Sequence, residues 1–130
     1  MKNVIIFGAG AAGARVYQHY KKKCNILAFI DNDPGKQNTR LFGVDVISVD
    51  AAKDFNAEEI YIASSSYTAI KTQLENVFAG SQTQFIQVKE KFIDPKAGFR
   101  AGWWVFFASV LFVYLLLYWT IFTRVTQHVG

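Results

Sequence analysis

The chain has 130 residues, 52% of them hydrophobic and 18% charged, with one Cys, two His and a formal net charge of +4. That length holds one domain of ordinary size, and the composition is too polar for an all-membrane protein and too apolar for a disordered one. A single Cys excludes an intramolecular disulfide, and two His with one Cys exclude the common zinc frameworks, so no metal site is expected.

The first apolar run, residues 4–7 (Val-Ile-Ile-Phe), ends in glycine and suits a strand covered on both faces. It is too short for the apolar core of a signal peptide. Residues 11–23 read as a helix with Ala12, Val16 and Tyr20 on one face. Lys21, Lys22 and Lys23 near its end suit the negative pole of the helix dipole. Residues 26–30 read as a second buried strand, followed by the turn signal Asp31-Asn32-Asp33-Pro34-Gly35. A third strand is expected at 44–47, then a short helix through Phe55 capped by Ser48. A fourth strand is expected at 60–63, a helix from Ser66 or Thr68 to about Phe78, and a fifth strand at 85–88. Strands alternating with helices imply right-handed crossovers and a parallel sheet. Residues 89–99, with Pro95 and Gly98, read as a connection.

From Ala101 to Thr123 there is no charged residue, and ten of the 21 aromatic residues fall between Phe99 and Phe122. This stretch has the length of a spanning helix, with Trp103 and Trp104 at one end and Tyr118 and Trp119 at the other. Residues 1–95 carry eleven Lys and Arg against ten acids, a net of +1. Residues 96–130 carry Lys96, Arg100 and Arg124 with no acid, a net of +3. The pI of 9.2 therefore owes much to membrane-flanking residues and does not argue for nucleic-acid binding. Positive charge concentrated before the span places the N-terminal domain in the cytoplasm. The expected organisation is a nucleotide-binding domain over 1–90, a hinge over 91–100, a transmembrane helix over 101–123 and a tail over 124–130.

The motif that carries chemistry is Gly8-Ala9-Gly10-Ala11-Ala12-Gly13. It directly follows a buried strand and opens a helix, and a second strand ends in Asp31, 18 residues after Gly13. Together these make the dinucleotide-binding βαβ fingerprint. Gly8 serves the tight turn, Gly10 leaves room for a pyrophosphate, and Gly13 lets helix and strand approach. The N–H groups around Ala11 and Ala12 face the phosphate charge. Asp31 suits ribose hydroxyls and repels a 2′-phosphate, which favours NAD over NADP. Asn32 adjoins it.

Ser64, Ser65 and Ser66 follow the fourth strand and either line the pocket or serve as turn and cap. No nearby base marks any of them as a nucleophile. Lys36 and Arg40 either touch a phosphate or remain solvated loop charges. Tyr17 and Lys21 have a Tyr-x-x-x-Lys spacing but lie on the first helix, so the spacing reads as coincidence. Cys24 reads as an inert filler, and His19 and His128 have no metal partner at ligand spacing. No catalytic residue is assigned.

The stretches VIIFGAGAAGARVYQHY, ILAFIDNDPGK, LFGVDVIS and EEIYIASSS, in that order, resemble the Rossmann domain of bacterial polysaccharide-biosynthesis proteins of the capsule type, the nucleotide-sugar epimerase/dehydratase proteins. Similar small CoA-binding-like domains begin the sugar O-acyltransferases. The resemblance covers about residues 3 to 90. It implies an α/β fold with a five-stranded parallel half-Rossmann sheet, and a ligand that is NAD, a nucleotide-sugar or CoA-like. It implies Gly8, Gly10, Gly13 and Asp31 as pocket residues and a bacterial inner-membrane setting for the single span. In that family membrane helices precede the domain and a catalytic domain follows it. Here an apolar helix follows instead, so the expectation is a sensor or accessory subunit that does not turn over substrate alone. An epimerase, dehydratase or oxidoreductase subunit completed by a catalytic partner or a homo-oligomer is the alternative.

Overall fold

The structure is a computed structural model that describes the backbone of residues 1–129 and the side chains of residues 1–96 and 104–125. The chain divides into two compact units, Met1–Asp94 and Pro95–Gly130.

The first unit is a sheet with helices on both faces. Its strands are β1 (Lys2–Phe7), β2 (Cys24–Ile30), β3 (Arg40–Leu41), β4 (Val44–Ile47), β5 (Glu59–Ile62) and β6 (Gln84–Gln87). Its helices are α1 (Ala11–Tyr20), α2 (Val49–Ala52), α3 (Tyr67–Val77) and α4 (Glu90–Ile93). The sheet order is β3-β4-β2-β1-β5-β6. All pairings are parallel except β3–β4, a hairpin that turns at Phe42-Gly43 with φ of 54° and 75°. The five expected parallel strands are present. The edge strand β3 is an addition, and two residues carry too little periodicity to be read from sequence.

Val4, Ile5 and Ile6 are fully buried because β1 lies at the centre of the sheet with apolar layers on both faces. One layer gathers Ile5, Phe7, Ile30, Ile60 and Ile62 with Ala52 of α2 and Leu74 of α3. The other gathers Val4, Ile6, Phe29 and Tyr61 with Val16 of α1 and Phe92 of α4. The Ser48 hydroxyl caps α2 as expected, accepting from the Ala51 N–H at 3.3 Å.

α1 stops at Tyr20, three residues earlier than its pattern suggested. Lys21, Lys22 and Lys23 form the turn into β2, which begins at Cys24. The segment expected as a hinge over 91–100 is helical at both ends. The ring of Phe92 is buried against Tyr20, and Arg15 of α1 donates to the Phe92 and Ile93 carbonyls at 2.6 and 3.2 Å. Those bonds satisfy carbonyls at the end of α4 that have no partner within the helix.

The second unit is one helix, α5 (Ala97–Val129), of which Trp104–Val125 is long and apolar enough to cross a membrane. It begins before residue 101 and continues past residue 123, the ends expected for the span. None of its apolar window is buried, and Trp104, Phe112, Leu116 and Trp119 are exposed. The hydroxyls of Ser109, Thr120 and Thr123 donate to carbonyls one turn back at 2.9 to 3.1 Å, so these polar side chains are satisfied within the helix. The side chains of Trp103, Arg100 and His128 lie outside the described residues.

Candidate functional site

The parallel register sets the site. Phe7 pairs with Ile30 on one side and Ile62 on the other, so β1, β2 and β5 end at the same level. Gly8, Asp31 and Ala63, the next residue of each strand, are therefore neighbours. Their N–H groups continue the ladder: Gly8 to the Ile30 carbonyl at 2.7 Å, Asp31 to Ile47 at 3.1 Å, and Ala63 to Phe7 at 2.9 Å. Connections leave β1 in one direction and reach β5 in the other, so the crevice between them is the topological switch point, where open α/β sheets bind ligands. A cleft of ≈ 420 Å³ opens there, lined by Phe7, Gly8, Asp31, Asn32, Ser64 and Gln73 among others.

The three motif glycines have separate roles. Gly13 touches the turn so closely that a Cβ would lie 1.8 Å from the Gly8 carbonyl oxygen. Gly8 has φ +114°, and a Cβ there would lie 2.9 Å from the Ala63 carbonyl oxygen. Both are required by the fold itself. Gly10 is different: its φ is −97°, and a Cβ would meet only the Lys36 ammonium, at 3.6 Å. The protein alone tolerates a side chain at Gly10, so the room it leaves faces outward. Beside it the N–H groups of Ala11, Ala12 and Gly13 precede the first bond of α1, from Ala14 to the Gly10 carbonyl at 3.0 Å.

Asp31 braces this loop. Its Oδ2 accepts the Ala9 N–H at 3.0 Å, and its Oδ1 accepts the Asp33 N–H at 2.9 Å. A carboxylate has about four acceptor positions, so capacity for ribose hydroxyls remains. The turn after Asp31 folds back through the Asp33 carbonyl, which accepts from Lys36 and Gln37 at 3.0 and 3.2 Å. That turn brings the Lys36 ammonium 3.9 Å from Asp31 Oδ2 and over Gly10. Of the two loop cations left open by the sequence, Lys36 stands at the loop. Arg40 instead pairs with Asp45 across the β3–β4 hairpin at 2.9 Å.

The cleft also contains a contact that sequence reading missed. Asn32 and Gln73 exchange two amide hydrogen bonds, 2.9 and 3.1 Å, joining the end of β2 to α3. The available signal was a polar residue within the stripe Ile70, Gln73, Leu74, Val77 of α3. Ser64 and Ser66 line the cleft, whereas Ser65 is exposed and does not. Ser64 Oγ accepts the Ser66 N–H at 3.1 Å, which makes it a turn-former as well as a wall.

The remaining candidates lie elsewhere. Tyr17 stacks on Phe42, ring centroids 4.8 Å apart, while Lys21 stands beyond the C-terminal end of α1. Cys24 is buried with its Sγ 3.9 Å from the Tyr61 hydroxyl, and no metal-binding cluster occurs among the described residues. Burial lowers the pKa of His19, with Lys23, Lys91 and Lys89 adding to the effect. A larger cavity of ≈ 560 Å³ lies at the opposite ends of the strands, lined by Lys2, Glu58 and Glu59. There Lys2 Nζ already donates to Glu59 Oε1 at 2.7 Å, and Glu58 accepts the Asn3 N–H at 2.8 Å. At the switch point, by contrast, the backbone donors at the start of α1 and the glycine loop converge.

Comparison with known proteins agrees with this architecture. The family described as C2185-like, N-terminal, matches residues 1–84. The chain belongs to that family. No curated protein matches it in sequence. Among solved structures it is similar to UDP-D-quinovosamine 4-dehydrogenase from Vibrio fischeri, with a TM-score of 0.58 and 19% identity over 73% of this chain and 85% of that one. It is also similar to RSP in complex with β-NADH, at a TM-score of 0.55 and 18% identity over 85% of this chain and 64% of that one. A second RSP structure, described as a Rex-family repressor, gives a TM-score of 0.56 at 18% identity, over 84% of this chain and 63% of that one. The C2185-like chain thus spans a little under two thirds of RSP and has a Rossmann-like fold.

Proposed function

We propose that this protein is a membrane-tethered nucleotide-binding module, with NAD the favoured ligand and a nucleotide-sugar or CoA-like molecule the alternatives. The observation that carries the reading is Gly10: the fold does not need a glycine there, and a pyrophosphate does. The N–H groups at the start of α1 and the Lys36 ammonium would take the phosphates, and Asp31 the adenosine ribose. The Asn32–Gln73 amide pair lies where a base or sugar would enter. Solved neighbours that are a UDP-sugar dehydrogenase and an NADH-bound repressor support this ligand class.

Asp31 is the one titratable side chain among those lining the cleft, and it braces the loop. That favours a sensor or accessory subunit, in envelope polysaccharide synthesis by the resemblance stated above, over an enzyme complete in itself. The exposed apolar surface of α5 and the basic residues before it support a single span of the inner membrane with the Rossmann-like domain in the cytoplasm.

Calorimetric titration of the full chain in detergent with NAD, NADH, UDP-sugars and CoA tests the ligand class. Gly10→Val is expected to stay folded and lose binding; a folded variant with unchanged affinity places the ligand elsewhere. Topology is tested by labelling Gln127→Cys in a Cys24→Ala background, which should react only from outside intact cells.

A further inference from the structure

The lysines that follow α1 and those that open α4 are almost seventy residues apart in sequence, yet the fold brings them to one face. His19 and Phe92 are the centre of that face, their rings 5.1 Å apart. Lys91 Nζ stands 5.1 Å from the Phe92 ring centroid. Lys23 and Lys89 also lie close enough to His19 to act on its charge, and Lys22 adjoins Lys23. All four lysines are exposed. Lys2, Lys36, Arg40 and Lys71 each pair with a carboxylate, but among the described residues none of Lys22, Lys23, Lys89 and Lys91 does. Glu90 is the acid between Lys89 and Lys91, and it too is exposed.

The helix dipole accounts for cations at the end of α1 but not for those at the start of the four-residue α4. The face therefore concentrates positive charge that no ion pair among the described residues offsets. Such a face is complementary to an anionic partner. Lysine heads on flexible stems suit a fluid layer of phosphates better than a site needing fixed bidentate geometry, and Arg15, the nearby guanidinium, is held by the α4 carbonyls. The apolar window of α5 begins thirteen residues after Lys91, so at most about 45 Å of extended chain links that lysine to the span.

We propose that the α1–α4 lysine face docks the Rossmann-like domain on an anionic phospholipid surface. This rests on the reading of α5 as a membrane span. The nucleotide cleft lies at the other end of α1, about 15 Å away by helix rise, so docking leaves its loop open to the cytoplasm.

The test uses the full chain in nanodiscs, with a fluorophore on Gln18→Cys in a Cys24→Ala background. Gln18 is exposed and lies beside Lys91 and Phe92. Discs of phosphatidylcholine alone are compared with discs containing phosphatidylglycerol, both carrying a headgroup-attached quencher. The expected result is quenching in the anionic discs, its loss in high salt, and its loss in Lys23→Glu/Lys89→Glu/Lys91→Glu. Equal quenching in neutral discs, or quenching that survives the charge reversal, overturns the proposal.

If the chain does not enter discs, the span reading fails, and flotation with phosphatidylglycerol vesicles decides the docking separately. Salt-sensitive binding that drops about five-fold per lysine neutralised supports it, and no binding overturns it. A duplex oligonucleotide bound through these lysines, without lipid-dependent quenching or vesicle binding, also overturns it and assigns the face to nucleic acid.

Discussion

The two ends of the same parallel strands are built differently. At the N-terminal ends of β1 and β5 the polar groups satisfy one another: Lys2 holds Glu59, Glu58 accepts the Asn3 N–H, and the Thr83 hydroxyl donates to the Ala57 carbonyl at 2.8 Å. At the C-terminal ends the chain keeps a glycine where the fold needs none, N–H groups at the start of α1, and an ammonium above them. Cavity volume does not separate the two, since the N-terminal one is the larger. The direction of the helix that follows β1 does, because only its N-terminus presents N–H groups to an anion. A candidate site is thus recognised by polar groups left available together, not by space.

The largest expected effect sharpens the contrast within the C-terminal end itself. Gly13→Ala should destabilise the domain by about 3 kcal/mol, because the added methyl meets backbone, which cannot move aside as a side chain would. Thermal melting followed by circular dichroism checks this, and a near-native melting temperature would mean that α1 can shift off β1. Gly10→Ala should melt within a degree or two of the parent, because its methyl meets only the end of a flexible lysine.

Smaller effects should appear at the charged groups. Asp31→Ala should weaken NAD by about 1–3 kcal/mol, the scale of hydrogen bonds to a charged acceptor. Part of that loss comes through the Ala9 N–H that it braces. Lys36→Ala should weaken any phosphate-bearing ligand by about 1 kcal/mol and reduce the salt dependence of binding. Equal salt dependence in both proteins would place the phosphates away from Gly10.

The smallest effect belongs to the N-terminal end. The hydrogen bond from Lys2 holds the Glu59 carboxyl below its ordinary 4.5, against burial that pushes it up. Its folded pKa is therefore lower than its unfolded one. The pair's contribution is full above about pH 4.5 and is lost as pH falls through the folded value. Lys2 is shifted upward by the same bond, so its share is lost only as pH rises past 10.5. Lys2→Met should remove the Glu59 part of the acid sensitivity and leave nucleotide affinity unchanged. A changed affinity would break the distinction between the two ends.

Much of this fold was legible because its signals are local. Continuous apolar runs became strands buried on both faces, and the glycines after β1 became the tight turn that opens α1. Ser48 became a cap. The turn Asp33-Pro34-Gly35 was legible as a turn, but not as the device that returns Lys36 to Gly10. β3 and α4 escaped because two and four residues carry no periodicity. α4 owes its place to Phe92 in the second apolar layer and to Arg15, contacts made across more than seventy residues.

The sequence by itself determined the parallel α/β class, the glycine loop with Asp31 at the next strand end, and an apolar helix of spanning length. Strand type, turn chemistry and helix starts depend on residues within a few positions of one another. Only the tertiary structure decided which cation stands over the loop, that Asn32 and Gln73 join across the cleft, that Ser64 rather than Ser65 lines it, and that the lysines of α1 and α4 share a face. Each of those facts requires two distant segments to be set side by side, and strand register and helix packing, not local propensity, fix such distances.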